Sequence, residues 1–466
     1  MGTIWQPDLA DFSGPKYRRL ADALRSAVDS QALAVGDKLP PVRDLAWRLD
    51  ITPGTVARAY SILTNEGVLQ AEVGRGTFVA PPKLLDQPIE IDAAPHGHDN
   101  TSGPISLFSP VLPNVGQAQL IRKLMAEIAQ DPPSGLMHYP SRAAFQPARE
   151  AVVKWLEGTP LGLMDQGDIV LTHGGQNGIS LVLQAVARSG RTVIYLEELS
   201  YPGFRRVAEL LRLKVVPVAM DDQGICPDSL VKAVMQHGPG TLCTSPEVHN
   251  PSLLFTPEAR RREIVRIARK ADLQILEDDC YRMGRSRAPT YRMLAPERGW
   301  YVSSISKTLT PALRIGFAIA PHGKVAPLRN AAEHGFFGLA TPLADLAERL
   351  LQHPSIDDVM DAVTKRIGDH VETAVNQLGG YELVWRRDVP FVWLRLPLGW
   401  RASAFCLAAE ARGVRVRPAE EYTCREARAP HAVRIAINAG VGMERFDGAI
   451  ATVRDLLDNP PEQIMA

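Results

Sequence analysis

Cysteine is scarce in this 466-residue chain, and Cys226, Cys243, Cys280, Cys406 and Cys424 are scattered, odd in number and without CxxC spacing. That pattern excludes a disulfide framework or a structural zinc site and fits a reducing cytoplasm. No apolar run approaches the roughly 20 residues that a membrane-spanning helix needs. The start, Met1-Gly2-Thr3-Ile4-Trp5-Gln6-Pro7-Asp8, has neither the basic opening nor the apolar stretch of a secretory signal. A cytoplasmic protein with no membrane partner is expected. Net charge is missing as well: 52 basic residues face 52 acidic ones. Residues 1–80 carry nine of each, so any case for nucleic acid rests on where the arginines sit, not on their number. The 11 histidines show no metal-ligand spacing, and no metal is expected. No internal repeat or low-complexity run stands out.

At this length two or three domains are expected. Within residues 16–80, Tyr17, Leu20, Ala21, Leu24 and Val28 recur at helical spacing. Gly36-Asp37 and Leu39-Pro40-Pro41 interrupt that pattern, and a short helix is expected from Val42 to Leu49. Thr52 is placed as N-cap, with Pro53 at the first position of a third helix that buries Val56, Ala59, Tyr60 and Leu63. Alternation over Val68–Val73 and Thr77–Val79, around Gly74-Arg75-Gly76, reads as a two-stranded wing. Residues 81–104 turn to Pro, Gly, Asp and His and read as a linker. From 105 to 458, short β-branched runs alternate with helical patterns, as at Ile169–Thr172, Thr192–Leu196, Val215–Val218, Leu273–Glu277, Tyr301–Ser303 and Ile315–Ala320. That alternation specifies a mostly parallel sheet covered on both faces, over about 130–325. A smaller α+β part is expected over about 340–458, with strands near Phe391–Leu396, Val414–Arg417 and Val433–Ile437.

The third helix would leave Thr52, Gly54, Thr55, Arg58 and Ser61 toward solvent, the side that enters the major groove in a helix-turn-helix. Arg58 can reach a guanine edge or hold a phosphate. Thr52 and Thr55 stand at a helix N-terminus that favours phosphate. Arg43 opens the second helix, and Arg75 sits at a Gly-flanked wing tip suited to a minor groove. The bland alternative is a three-helix dimerisation module with solvated arginines; the wing and the Thr-Pro cap favour DNA. Leu39-Pro40-Pro41-Val42-Arg43-Asp44-Leu45-Ala46, Thr55-Val56-Ala57-Arg58-Ala59-Tyr60 and Gly74-Arg75-Gly76-Thr77-Phe78-Val79 resemble the winged-helix domain of GntR-type repressors. That resemblance implies double-stranded operator DNA as partner. Pro41 stands where serine is usual there, and Pro53 and Gly54 replace commoner polar residues.

A second set of residues suits pyridoxal phosphate, which needs a lysine, a carboxylate for its ring nitrogen, a phosphate cradle and an aromatic over the ring. Lys307 and Asp278 each follow an apolar strand, where side chains project into a cleft. Ser304 and Arg314 flank Lys307, and Gly174-Gly175-Gln176 lies between a strand and a helix, where backbone amides can approach an anion. Taken singly, each is commonly a surface charge, a turn or half-buried packing. As an ordered set over 105–458 they resemble the fold-type I aminotransferases of the aspartate aminotransferase superfamily. The resemblance implies that Lys307 anchors the cofactor and that Asp278 bonds the pyridine nitrogen. Tyr281 and Asn250 fall on the partners of the ring hydroxyl. Gly175, Gln176, Ser304 and Arg314 fall on the phosphate cradle, and Tyr201 on the stacking aromatic. Tyr139 falls on a tyrosine reaching the phosphate from the other subunit of a homodimer, and Arg434 on the arginine gripping a substrate carboxylate, for which its bidentate fork is suited. Leu253 departs from the family, which has glycine there.

Together the halves are similar to the MocR subfamily of GntR regulators: an N-terminal winged helix-turn-helix joined to an α/β fold-type I transferase domain with a small C-terminal α+β subdomain. The resemblance implies a homodimeric regulator that senses an amino compound, or pyridoxal phosphate itself. The competing expectation is a working aminotransferase with an appended DNA-binding domain. A vestigial pocket would be marked by loss of Lys307 or Asp278, and both are present.

Overall fold

The computed structural model describes residues 9, 12, 14–30, 32–34, 36–65, 68–72, 76–80, 103–130, 132, 136–424 and 427–460. The chain divides into two units, Met1–His96 and Gly97–Ala466. In the first, the apolar stripes fold as α1 (Lys16–Asp29), α2 (Val42–Arg48) and α3 (Pro53–Asn65). Leu20 and Leu24, Leu45 and Ala46, and Val56, Ala59 and Leu63 close one core, against which β1 (Leu69–Glu72) and β2 (Gly76–Val79) lay Leu69 and Val79. The two strands pair antiparallel, Leu69 opposite Val79, as a wing requires. Buried Tyr60 donates its hydroxyl to the Pro40 carbonyl at 2.9 Å and so ties α3 to the loop before α2. Arg75 and most of the expected linker lie outside the described residues.

The second unit opens with β3 (Ile105–Ser106). Its large sheet contains β4 (Ile169–Thr172), β5 (Val193–Glu197), β6 (Lys214–Val218), β7 (Thr241–Thr244), β8 (Gln274–Asp278), β9 (Gly299–Ser304) and β10 (Gly316–Ile319). Helix α4 (Gly174–Ala187) follows β4 and α5 (Pro202–Leu210) follows β5. The strand order is β4-β10-β9-β8-β7-β5-β6. Neighbours from β9 to β6 run parallel, and β10 is antiparallel to both β9 and β4. Successive residues of a strand face opposite sides. Trp300 and Val302 accordingly pack on Leu181 and Val182 of α4, while Tyr301, with Phe317 of β10, packs on Leu346 and Ala347. Each fully buried residue of this kind stabilises by about 1.5–3 kcal/mol.

Strands β11 (Leu383–Val384), β12 (Phe391–Arg395), β13 (Val414–Arg415), β14 (Arg417–Pro418) and β15 (Ala432–Ala436) belong to the smaller part. The strand expected over Val414–Arg417 is divided: β13 pairs parallel with β3, and β14 pairs antiparallel with β15. Pro418 has no N–H to give, which keeps that second ladder short. The four-stranded sheet β11-β12-β15-β14 sets Val392, Leu394, Val433 and Ile435 against Val363, Ile367, Phe446 and Ile450. Its other face carries Phe391, Trp393, Ala432 and Ala436, packed on Val248 and Leu253 from the loop after β7. The small sheet thereby closes over the carboxyl ends of the large one.

Candidate functional site

In open α/β sheets, ligands bind beyond the carboxyl ends of the strands, and the expected pocket residues collect there. Asp278 ends β8, Ser304 ends β9, and Lys307 closes a 3-10 turn, Ile305–Lys307, just past it. Tyr201 precedes α5 and Asn250 lies beyond β7. Gly174 and Gly175 begin α4, with Gly174 at φ +78°. A Cβ on Gly174 would sit 2.7 Å from the Arg314 Nη2 atom, and one on Gly175 would sit 2.3 Å from Cys280 Sγ. Only glycine leaves this space open beside Ser304, whose Oγ lies 3.7 Å from Cys280 Sγ. Arg314 itself adopts φ +50°, a conformation uncommon outside glycine, and its Nη2 donates to the His173 carbonyl at 3.5 Å.

Burial pushes the Asp278 carboxyl up to about 6, and the hydrogen bonds from Cys280 only partly offset this. Its oxygen accepts from the Cys280 amide at 3.1 Å. The Lys307 amine lies 5.4 Å from the Tyr281 ring centre. Burial would raise the Tyr281 phenol, but Lys307, Arg434 and Arg417 together outweigh it and hold the group below its ordinary value. Arg434, only 2% exposed, donates Nη1 to Asn250 Oδ1 at 2.9 Å and Nη2 to the Phe108 carbonyl at 2.9 Å. Nη1 also lies 3.5 Å from the Tyr281 hydroxyl. Tyr201 is half-buried, its ring edge-on to Phe204 at 6.1 Å, and burial raises its phenol. A side chain at Gly203 would strike both Tyr201 and Gln176. Gln176 donates to the Gly203 carbonyl at 3.1 Å.

Buried polar atoms in this region without a hydrogen-bond partner among the described residues include Asn250 Nδ2, Gln176 Oε1, Ser306 Oγ, Arg417 Nε, Tyr422 Oη and Arg434 Nε. Leaving such groups unmade costs free energy, so they mark where a polar ligand is received. With the glycine cradle, the Asp278 carboxyl and the Lys307 amine, the donor set fits a phosphorylated pyridine aldehyde. Tyr139 is the exception. It is 85% exposed and rests 5.8 Å from Phe337, so within one chain it is not brought into the pocket. Sequence reasoning passed over Phe108, Arg417, Tyr422 and Cys280. The first three surround Arg434; the alternation Val414-Arg415-Val416-Arg417 gives no signal that singles out Arg417.

On the winged helix, Arg43, Thr52 and Arg58 are exposed and Thr55 is half-buried. The Arg58 guanidinium lies 4.2 Å over the Tyr17 ring, which holds it against α1 instead of leaving it free. Thr52 caps α3 through its Oγ1, 3.3 Å from the Thr55 amide, and the two hydroxyls lie 2.9 Å apart. That amide is therefore already engaged by the cap.

These two sites define a DNA-reading domain joined to an aminotransferase-like module. Residues 112–453 match the model of aminotransferase class I and II, and residues 16–79 match bacterial regulatory proteins of the gntR family. The chain belongs to the aminotransferase class I and II family and, with its gntR-family domain, is a MocR-type transcriptional regulator. It is 26% identical over 464 residues to the HTH-type transcriptional regulator YdeF of Bacillus subtilis, covering 98% of this chain and 97% of that one. It is 28% identical over 308 residues to the pyridoxine biosynthesis transcriptional regulator PdxR of Corynebacterium glutamicum, covering 65% of each. It is 26% identical over 424 residues to the vitamin B6 salvage pathway transcriptional repressor PtsJ of Salmonella typhimurium, covering 88% of this chain and 92% of that one. Among solved structures, an archaeal alanine:glyoxylate aminotransferase shares the fold, with a TM-score of 0.68 and 22% identity over 77% of this chain and 91% of that one.

Proposed function

We propose that this regulator binds pyridoxal phosphate on Lys307 and uses it to sense an amino compound, or the cofactor itself, as a cytoplasmic homodimer on operator DNA. The observation that carries the reading is the convergence of Lys307, Asp278, Asn250, Tyr281 and Arg434 around the cradle formed by Gly174 and Gly175. When bound, the cofactor supplies an aldehyde that captures amines and a ring that withdraws electrons. Asp278 holds the ring nitrogen, Asn250 and Tyr281 its hydroxyl, and Tyr201 covers its face. Gly175, Gln176, Ser304 and Arg314 hold its phosphate, with Tyr139 supplied by the partner subunit. Arg434 grips the effector's acid group. Two relatives carry vitamin B6 regulation in their names, which supports a link to the cofactor's own supply.

An effector amine that enters the pocket would signal only if it bound one closure state of the pocket better than the other. The favoured state then selects which half-site spacing the paired winged helices can span. A working aminotransferase is the second reading, because the Lys307 amine could also move protons. The test is the visible absorbance of the purified protein during titration with a panel of amines, with Lys307→Ala beside it. We expect a cofactor band absent from the variant, and a lasting shift with an effector amine but no keto product. Steady keto product would make the protein an enzyme first. No band after adding cofactor would refute the reading.

A further inference from the structure

Arg417 stands directly opposite Arg434 in the antiparallel pair of β14 and β15. Residues so placed share one face of a sheet with Cβ atoms about 4.5–5.5 Å apart, and like charges there are destabilising. Both guanidinium groups converge on Phe108. Arg417 stacks 3.7 Å from its ring, while Arg434 donates to its carbonyl at 2.9 Å. Both also lie near the Tyr422 ring, at 5.9 and 5.3 Å. The Nε atoms of both are buried without a hydrogen-bond partner among the described residues. Among the described residues the carboxylate that faces Arg417 is Glu421, 34% exposed, in an ion pair at 3.5 Å from Arg417 Nε, longer than a good hydrogen bond. A single effector carboxylate satisfies Arg434 and leaves the second guanidinium facing the first.

We propose that Arg417 is a second acid-binding residue of the effector pocket, so that the preferred effector is an amino acid carrying two carboxylates. This rests on the sensor reading above. Arg434 takes one carboxylate and Arg417 the other, which removes the like-charge pairing when the pocket is filled. The test is titration of cofactor-loaded full-length protein with aspartate against asparagine, glutamate against glutamine, and 2-aminoadipate against norleucine, followed by the visible band. The native protein should bind at least one acidic member about ten- to a hundredfold more tightly than its neutral counterpart. Arg417→Gln should erase that preference while the response to neutral amino acids persists, which also shows that the variant is folded. Arg417→Lys, which keeps the charge without the fork, should retain part of it. Equal affinities in the native protein, or a preference surviving in Arg417→Gln, overturn the inference while leaving the sensor reading intact. If no amine of any kind shifts the band, sensing of an amino compound fails and takes this inference with it, leaving the cofactor itself as the signal.

Discussion

Asp278 shows what one buried carboxyl costs before its partner arrives. Burial raises it to about 6 from an ordinary 3.8, so the folded protein holds a proton more tightly than the unfolded chain. Stability from this group is therefore greatest below its unfolded value, falls as pH rises from about 4 to about 6, and is level above. In cofactor-free protein, Asp278→Asn should raise the unfolding free energy at pH 8, by on the order of 2–3 kcal/mol, and make no difference near pH 4. Identical urea melts of the two proteins at pH 8 would refute this. In the native protein a bound pyridinium would offset that cost, while the variant should lose cofactor affinity. Asp278 and Lys307 were legible in the sequence because each follows an apolar strand that the pattern reveals. Arg417 was not, because its meaning lies in a cross-strand register with Arg434 that one-dimensional spacing cannot convey.

Elements explain the rest of the legibility. Runs such as Ile169–Thr172 announce themselves through β-branched residues, whereas β7, Thr241-Leu242-Cys243-Thr244, has one aliphatic residue and still takes a central place between β5 and β8. Its neighbours, not its propensity, make it a strand. The turn from β4 into α4 obeys a sharper rule, because a Cβ on Gly175 meets Cys280 Sγ at 2.3 Å. Gly175→Ala should abolish the cofactor band, and adding Cys280→Ala should restore part of it; no recovery would place the constraint elsewhere. On the DNA side, Arg58→Ala should weaken operator binding by about 1–3 kcal/mol and relax preference at one base pair. Because Tyr17 holds Arg58 in place, Tyr17→Ala should reproduce part of that loss and add little to it in the double variant. Fully additive losses in a gel-shift cycle would show the stack to be idle.

At the scale of the whole molecule, the unexplained surface is the segment carrying Tyr139. Leu136, Met137 and Tyr139 are 65%, 90% and 85% exposed, and Phe337 beside Tyr139 is 68% exposed. Contiguous exposed apolar residues of this kind mark interaction surfaces, and a closed two-fold dimer would cover the same patch on both subunits. The proposed homodimer would account at once for an apolar face and for Tyr139, proposed as a phosphate contact, lying outside the pocket of its own chain. Subunit complementation separates this from coincidence. Tyr139→Ala homodimers should hold the cofactor weakly, and Lys307→Ala homodimers should show no band. In mixed dimers of the two, one pocket joins Lys307 of the first subunit to Tyr139 of the second and is native. Co-refolded mixtures should therefore regain a tightly held band, up to half the sites in each mixed dimer. Recovery no greater than in the Tyr139→Ala protein alone would mean that each pocket is completed within its own chain, and that Tyr139 serves only packing.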